Sequence, residues 1–375
     1  MSEVYVHSYL NERGEQVPAH ETERVREVRY THHTPEQLRQ IAVDYMCRMA
    51  RVKWTCKDRI DYSFNNELLV YEPGQTYVGM IYNNCRNGLE NFCEALDENG
   101  VYSLEDIGWD TAPGNSCATS IKHAWQLISP DVDYTYSVDM MPYYKETTIL
   151  PVGDINWDLY DGKNTTESIV KNTDKNVLME AYAMALPGEG FERYLDTGGH
   201  ALMVTMDPIV VRNEDGTINP EESYVFLTDQ NNRINNFRDY PSSWKLDFKT
   251  SFEKCYTCGW LPVTIKQLRE GGAEVPDYEL AGVPTTQSLE AGVGLKGSVK
   301  CNYCVVTLCA QIHKDCAHGD VVQEAQIHPY KKEVSLELLS DKLDWNALGE
   351  GDYHLTLNVT VGLESRILFD VAFKK

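Results

Sequence analysis

His200-Ala-Leu-Met-Val-Thr205, Asn213-Glu-Asp-Gly-Thr217 and Tyr224-Val-Phe-Leu-Thr-Asp229 read in succession as a strand, a turn and a return strand. Apolar and β-branched side chains fill both outer segments, and Asp215-Gly216 supplies the pair that tight hairpin turns favour. Side chains on a strand alternate faces, so Asp229 and Asn231 share one face. Pairing of the two strands would then bring Asp229 or Asn231 beside His200. Two glycines, Gly198 and Gly199, lead into that first strand and leave the imidazole at its mouth.

Working backwards from this hairpin, the apolar period changes from 2 to 3.6. Val177 to Leu186 reads as a short helix stopped by Pro187-Gly188. Residues 130–175 are rich in Asp, Asn and Thr and read as a long surface excursion, of the kind that can fold over a cleft. Ala118, Ile121, Ala124, Trp125 and Ile128 repeat at helical spacing behind the turn Gly114-Asn115-Ser116-Cys117. Ser116 is the expected N-cap, which places Cys117 in the first helical turn. A further helix opens at Thr34-Pro35-Glu36-Gln37, with Thr as cap, Pro at the first helical position and Gln at the capping-box position. Its apolar face is Leu38, Ile41, Ala42, Tyr45, Met46 and Met49. Residues 1–30 are charged and aperiodic, a leader.

Working forwards, residues 269–292 are polar and carry Gly and Pro, and read as a linker. From 293 to 375 the pattern is β: Val305 to Ile312, Val334 to Leu339, His354 to Val361 and Ile367 to Phe373. Several short strands in so few residues predict an immunoglobulin-like β-sandwich. The expected class is therefore α+β: one domain over 31–268 with helices on an antiparallel sheet, then a sandwich. A chain of 375 residues is long enough for about two such domains.

Composition narrows the function. The 57 acidic residues against 34 Lys and Arg give a net charge of −23, which opposes nucleic-acid phosphates and anionic membranes. Neither partner is expected. No run approaches the ~20 apolar residues of a membrane span. The N-terminal residues have neither a basic start nor an apolar stretch, so a cytoplasmic location is expected unless a leader has been removed. Eleven cysteines, an odd number scattered along the chain, fit a reducing compartment better than a disulfide framework. Cys255/Cys258 and Cys301/Cys304 have the Cys-x-x-Cys spacing of zinc ligands, but their surroundings read as apolar segments in which Cys is a small hydrophobe. Cys309, His313, Cys316 and His318 also cluster in sequence. No Gly-rich nucleotide cradle is present, and no metal or other cofactor is expected.

Cys117 remains as the chemical candidate. A thiol in the first turn of a helix meets unpaired backbone N–H groups and the positive end of the helix dipole, both of which favour thiolate. A packed core cysteine is the competing reading. With His200 as base and Asp229 or Asn231 to orient the imidazole, the set completes the nucleophile–base–orienter logic of acyl transfer.

Four local patterns resemble the papain-like bacterial hydrolases of the NlpC/P60 and CHAP type. Gly79-Met-Ile-Tyr82 resembles their Gly-x-Pro-Tyr segment, and Asn115-Ser-Cys117-Ala-Thr-Ser their helix start. Leu186-Pro-Gly-Glu189 with Gly199-His200-Ala-Leu-Met-Val resembles their Pro-Gly-Asp…Gly-His-Val segment. Val225-Phe-Leu-Thr-Asp229-Gln-Asn231 is similar to the CHAP strand ending in Glu-x-Asn. The resemblance covers residues 75–265 and implies a cysteine peptidase or amidase acting on a peptide or peptidoglycan fragment. In it Cys117 is nucleophile, His200 base, Asp229 the orienter and Asn231 an accessory group. Tyr82, Ser116 and Gln230 would lie on the substrate and oxyanion side. The sequence departs from the pattern at Ile81, at Ala-Thr-Ser after the cysteine, and in long insertions over 84–113 and 130–175. A catalytically silent relative that binds peptides or glycans is the alternative function. A structural protein that recognises partners through its β-sandwich is a third.

Overall fold

The computed structural model describes residues 28–63, 68–134, 136–142, 148–156, 165–195, 198–236 and 239–375. The architecture is α+β with several antiparallel sheets. Most of the expected leader lies outside the described residues. Its last residue, Tyr30, bridges to Glu274, and the Thr31 N–H donates to the Ala273 carbonyl at 2.8 Å.

The first helix is Pro35–Arg51, capped as its sequence predicts. The Gln37 N–H donates to Thr34 Oγ1 at 3.3 Å, and Gln37 Oε1 accepts from the Thr34 N–H at 2.9 Å. Leu38, Ala42, Met46 and Met49 on its inner face are fully buried. Each large apolar side chain so enclosed stabilises the fold by about 1.5–3 kcal/mol. Beside this helix, Trp54 stands at the centre of Tyr71, Tyr77, Phe92 and Tyr102, with ring centroids 5.1–5.8 Å away. Trp54 Nε1 donates to the Gly79 carbonyl at 2.8 Å, anchoring the segment that leads to Tyr82.

The central sheet has six strands in the order Ser242–Ser251, Tyr224–Asn235, Gly198–Ile209, Gly190–Leu195, Leu261–Ile265 and Ile149–Pro151. The expected hairpin forms. Met203 faces Thr228 and Val204 faces Leu227 in antiparallel register, and the Asn213–Thr217 turn closes with hydrogen bonds of 2.8 and 3.0 Å. The helix Cys117–Gln126 packs on the Gly198–Ile209 strand through fully buried Ile121, Ala124 and Trp125. Trp125 Nε1 donates to the Gly188 carbonyl at 2.8 Å, so the helix is tied to the turn that feeds the sheet.

The C-terminal part departs from the sequence reading in three ways. The strands do not form two separate sheets of an immunoglobulin-like sandwich. They form one hydrogen-bonded sheet around a 17-residue strand, Ser298–Lys314. Register shifts between Lys300 and Val305, and again between Val305 and Thr307, interrupt its pairing. One strand thereby serves Tyr278–Ala281 and Lys331–Ser335 with its first half, and Val321–Ile327 and Asp352–Val361 with its second. The linker expected over 269–292 is also structured. Tyr278–Ala281 is a strand of this sheet, and Leu289 of the short helix Thr286–Glu290 is buried in its core. Polar composition concealed this because only alternate side chains of that edge strand face inward. Finally, the strand expected over Val334 to Leu339 ends at Ser335, and a helical turn, Glu337–Ser340, follows.

All eleven cysteines are free thiols. Among the described residues no helix is long and apolar enough to cross a membrane. The described residues also hold no group of three or more His, Cys, Asp or Glu side chains placed to bind a metal ion.

Candidate active site

Cys117 is the first residue of its helix, with Ser116 as N-cap in extended conformation. Asn115 locks this start: its Oδ1 accepts from the Ser116 N–H at 2.9 Å and from the Thr119 hydroxyl. Thr119 Oγ1 in turn accepts from the Ser116 N–H at 3.2 Å. The Ser-Cys-Ala-Thr order thus works as a capping device that presents the thiol at the positive end of the helix.

His200 lies opposite, on the strand beginning Gly198-Gly199. A Cβ on Gly199 would fall 1.8 Å from Ser137 Oγ and 2.7 Å from the Tyr194 ring, so any side chain there would have to displace Ser137 and Tyr194. His200 Nε2 is 2.8 Å from Asp229 Oδ2, and the Asp229 side chain is only 5% exposed. Asn231 Nδ2 donates to Asp229 Oδ1 at 3.4 Å, holding the carboxylate from its other side. With Nε2 engaged by Asp229, the other ring nitrogen is the one left for Cys117, and thiol and imidazole each shift the ionisation of the other. Of the two orienters left open by the sequence, the aspartate meets the histidine and the asparagine meets the aspartate.

The electrostatics follow from this geometry. Burial raises the Cys117 pKa, but the charge and hydrogen bond of His200, with the N–H groups of Ala201 and Ala118, outweigh it, and the thiol pKa is lowered. Burial works against the His200 imidazolium. The Cys117 thiolate and the Asp229 hydrogen bond and charge more than offset it, so the His200 pKa is raised. Each partner favours the ionised form of the other, which is the condition for a thiolate–imidazolium pair.

Tyr82 lines the cleft on both sides of this pair. Burial, then the nearby Cys117 and Asp229 charges among its neighbours, hold its phenol well above the usual range, so it stays protonated. Ser116 also borders the cleft, but its N–H is already spent on Asn115 and Thr119. Gln230, expected on the substrate side, does not line the cleft. It is fully buried on the face opposite Asp229 and Asn231, and its Nε2 donates to the Met80 carbonyl at 2.9 Å. Strand alternation is the reason: a residue between two cleft-facing neighbours points into the protein. There it braces, with Trp244 Nε1 at 3.0 Å from the same carbonyl, the backbone that carries Tyr82.

Several site residues escaped the sequence reading. On the Cys117 side, Trp109, Tyr136 and Tyr194 wall a cleft of about 450 Å³. On the His200 side, Arg193 and Trp260 border a larger space of about 620 Å³, with Trp260 5.8 Å from the His200 ring. Glu192, fully buried, lies close enough to Cys117 to feel its charge. Tyr136 belongs to the excursion expected over 130–175, which does reach the cleft. A glutamate inside the Gly-Phe-Glu-Arg strand was the one signal that could have singled out Glu192. Compared with models of known protein families, with curated proteins and with solved structures, the chain matches none.

Proposed function

We propose that this protein is a papain-like cysteine hydrolase, a peptidase or amidase of the NlpC/P60 and CHAP type, that cleaves an amide through a thioester on Cys117. The His200–Asp229 hydrogen bond, with the mutual electrostatic influence of Cys117 and His200 at the head of a helix, supports the reading. In the first step the thiolate attacks the carbonyl carbon, and the imidazolium gives its proton to the leaving nitrogen as the C–N bond breaks. In the second step His200 takes a proton from water, whose oxygen attacks the thioester and releases the carboxylate and the thiol. Unpaired N–H groups at the start of the Cys117 helix would stabilise the negative charge that develops on the carbonyl oxygen. Peptide or peptidoglycan-type fragments are the substrate class that the family resemblance suggests, and no cofactor is needed for the chemistry.

Thiol labelling tests this at once. Iodoacetamide should alkylate Cys117 ahead of the other ten cysteines, and at a pH below that of an ordinary thiol, because its pKa is lowered. His200→Ala should abolish that preference. Labelling of Cys117 no faster than the exposed Cys93 and Cys316 refutes the reading.

A further inference from the structure

The two halves of the cleft differ in chemistry. The Cys117 side is walled by aromatic rings with one cation, Arg86, stacked 4.7 Å from the Tyr136 ring centroid, whereas four cations, Arg193, Arg233, Lys245 and Lys254, converge on the His200 side. Among the described residues the one acid lining that half is Asp229, which is committed to His200. A chain with net charge −23 would not gather four cations in one hollow as a matter of composition. Arg193 is the most telling of them. Its guanidinium lies 5.0 Å from the Trp260 ring centroid, its Nε is buried without a hydrogen-bond partner, and no carboxylate pairs with it among the described residues. The aromatic ring stands against the guanidinium at the cleft wall while its Nε donor remains unspent. A planar, fixed fork of donors is matched by a carboxylate.

We infer that the His200 half of the cleft binds a carboxylate carried by the substrate close to the scissile amide, with Arg193 as its principal partner and Arg233, Lys245 and Lys254 as the surrounding positive field. The inference rests on the thiol-hydrolase reading and narrows its substrate to acidic amides, with the other flank of the substrate against Tyr82, Trp109 and Tyr136. These cations bind and position; they take no part in bond breaking.

A pair of thiol reagents separates local from global charge. Iodoacetate and iodoacetamide differ by a carboxylate one carbon from the reacting centre. The overall charge of −23 repels the acid, whereas the cationic half attracts it. The ratio of iodoacetate to iodoacetamide rates at Cys117 should exceed that of glutathione in the same buffer, by about tenfold at low salt, and should fall as salt is added. Lys254→Gln with Arg233→Gln, both on the exposed rim, should lower the ratio, and Arg193→Gln should lower it further, with Arg193→Lys restoring part. A ratio at or below that of glutathione, or one that rises with salt, overturns the inference. Equilibrium binding decides it independently of the thiol. Cys117→Ala should bind N-acetyl-dialanine more tightly than the corresponding C-terminal amide, and Arg193→Gln should erase the difference. Equal binding of acid and amide overturns the inference. A Cys117 inert to iodoacetamide overturns the hydrolase reading alone, with the binding comparison still deciding the carboxylate site.

Discussion

Replacing Glu192 with glutamine keeps the volume of the side chain and removes only its ability to ionise. Glu192 sits in the middle of the strand Gly190–Leu195, fully buried, and neither carboxyl oxygen has a hydrogen-bond partner. Burial first, and then the Cys117 charge, push its pKa well above the ordinary carboxyl range against the weaker pull of Arg193. The folded protein therefore keeps the proton, while the unfolded chain releases it once the pH passes about 4.3. In that window the unfolded state binds fewer protons than the native state, so stability falls by about 1.4 kcal/mol per pH unit until the folded carboxyl itself ionises. The handicap therefore grows between pH 5.5 and pH 6.5. Glutamine leaves a polar group in the same enclosure, so the desolvation cost is similar in both proteins and cancels in the comparison. Urea unfolding of the two proteins at pH 5.5 and 6.5 reads the difference directly. Glu192→Gln should be the more stable at both, with the gap widening by about 1.4 kcal/mol between them. A gap that stays constant with pH, or narrows as pH rises, would refute a protonated Glu192 in the native state.

Two further outcomes follow from the site and its supports. Asp229→Ala removes a charge-assisted hydrogen bond to His200 worth about 1.5–3 kcal/mol, so the rate of Cys117 alkylation at neutral pH should fall by about one to two decades. Asp229→Asn retains an acceptor for the ring N–H and should lose less; equal losses would show that geometry plays no part. Gly79→Ala places a Cβ 2.3 Å from the Trp244 ring at a residue with φ of +86°. Left-handed backbone strain and overpacking together should cost about 3 kcal/mol in denaturant unfolding, and a cost below about 1 kcal/mol would mean that Trp244 is not held where the structure has it.

Local signals in the sequence determine much of this protein. The capping pattern of Thr34 to Gln37, the helix start at Ser116-Cys117 and the Asp215-Gly216 turn depend only on neighbours within four residues, and each stands where the sequence puts it. Strand alternation likewise set Asp229 and Asn231 on one face. The same rule, left unapplied to Gln230, would have sent that residue to the core.

Other features depend on contacts between distant segments, which no local pattern contains. The choice of Asp229 over Asn231 as partner of His200 is a matter of where two strands settle against each other, decided by their register. The C-terminal sheet shows the same limit. Alternation identified its strands, but whether they close into two sheets or join in one rests on the interrupted pairing of Ser298–Lys314. The cationic half of the cleft draws Arg193, Arg233, Lys245 and Lys254 from three strands and a helix. Composition alone made this an acidic chain. Only the packing of those elements creates a positive surface beside the thiol, because electrostatic potential depends on where charges meet and falls off within about a Debye length of 10 Å.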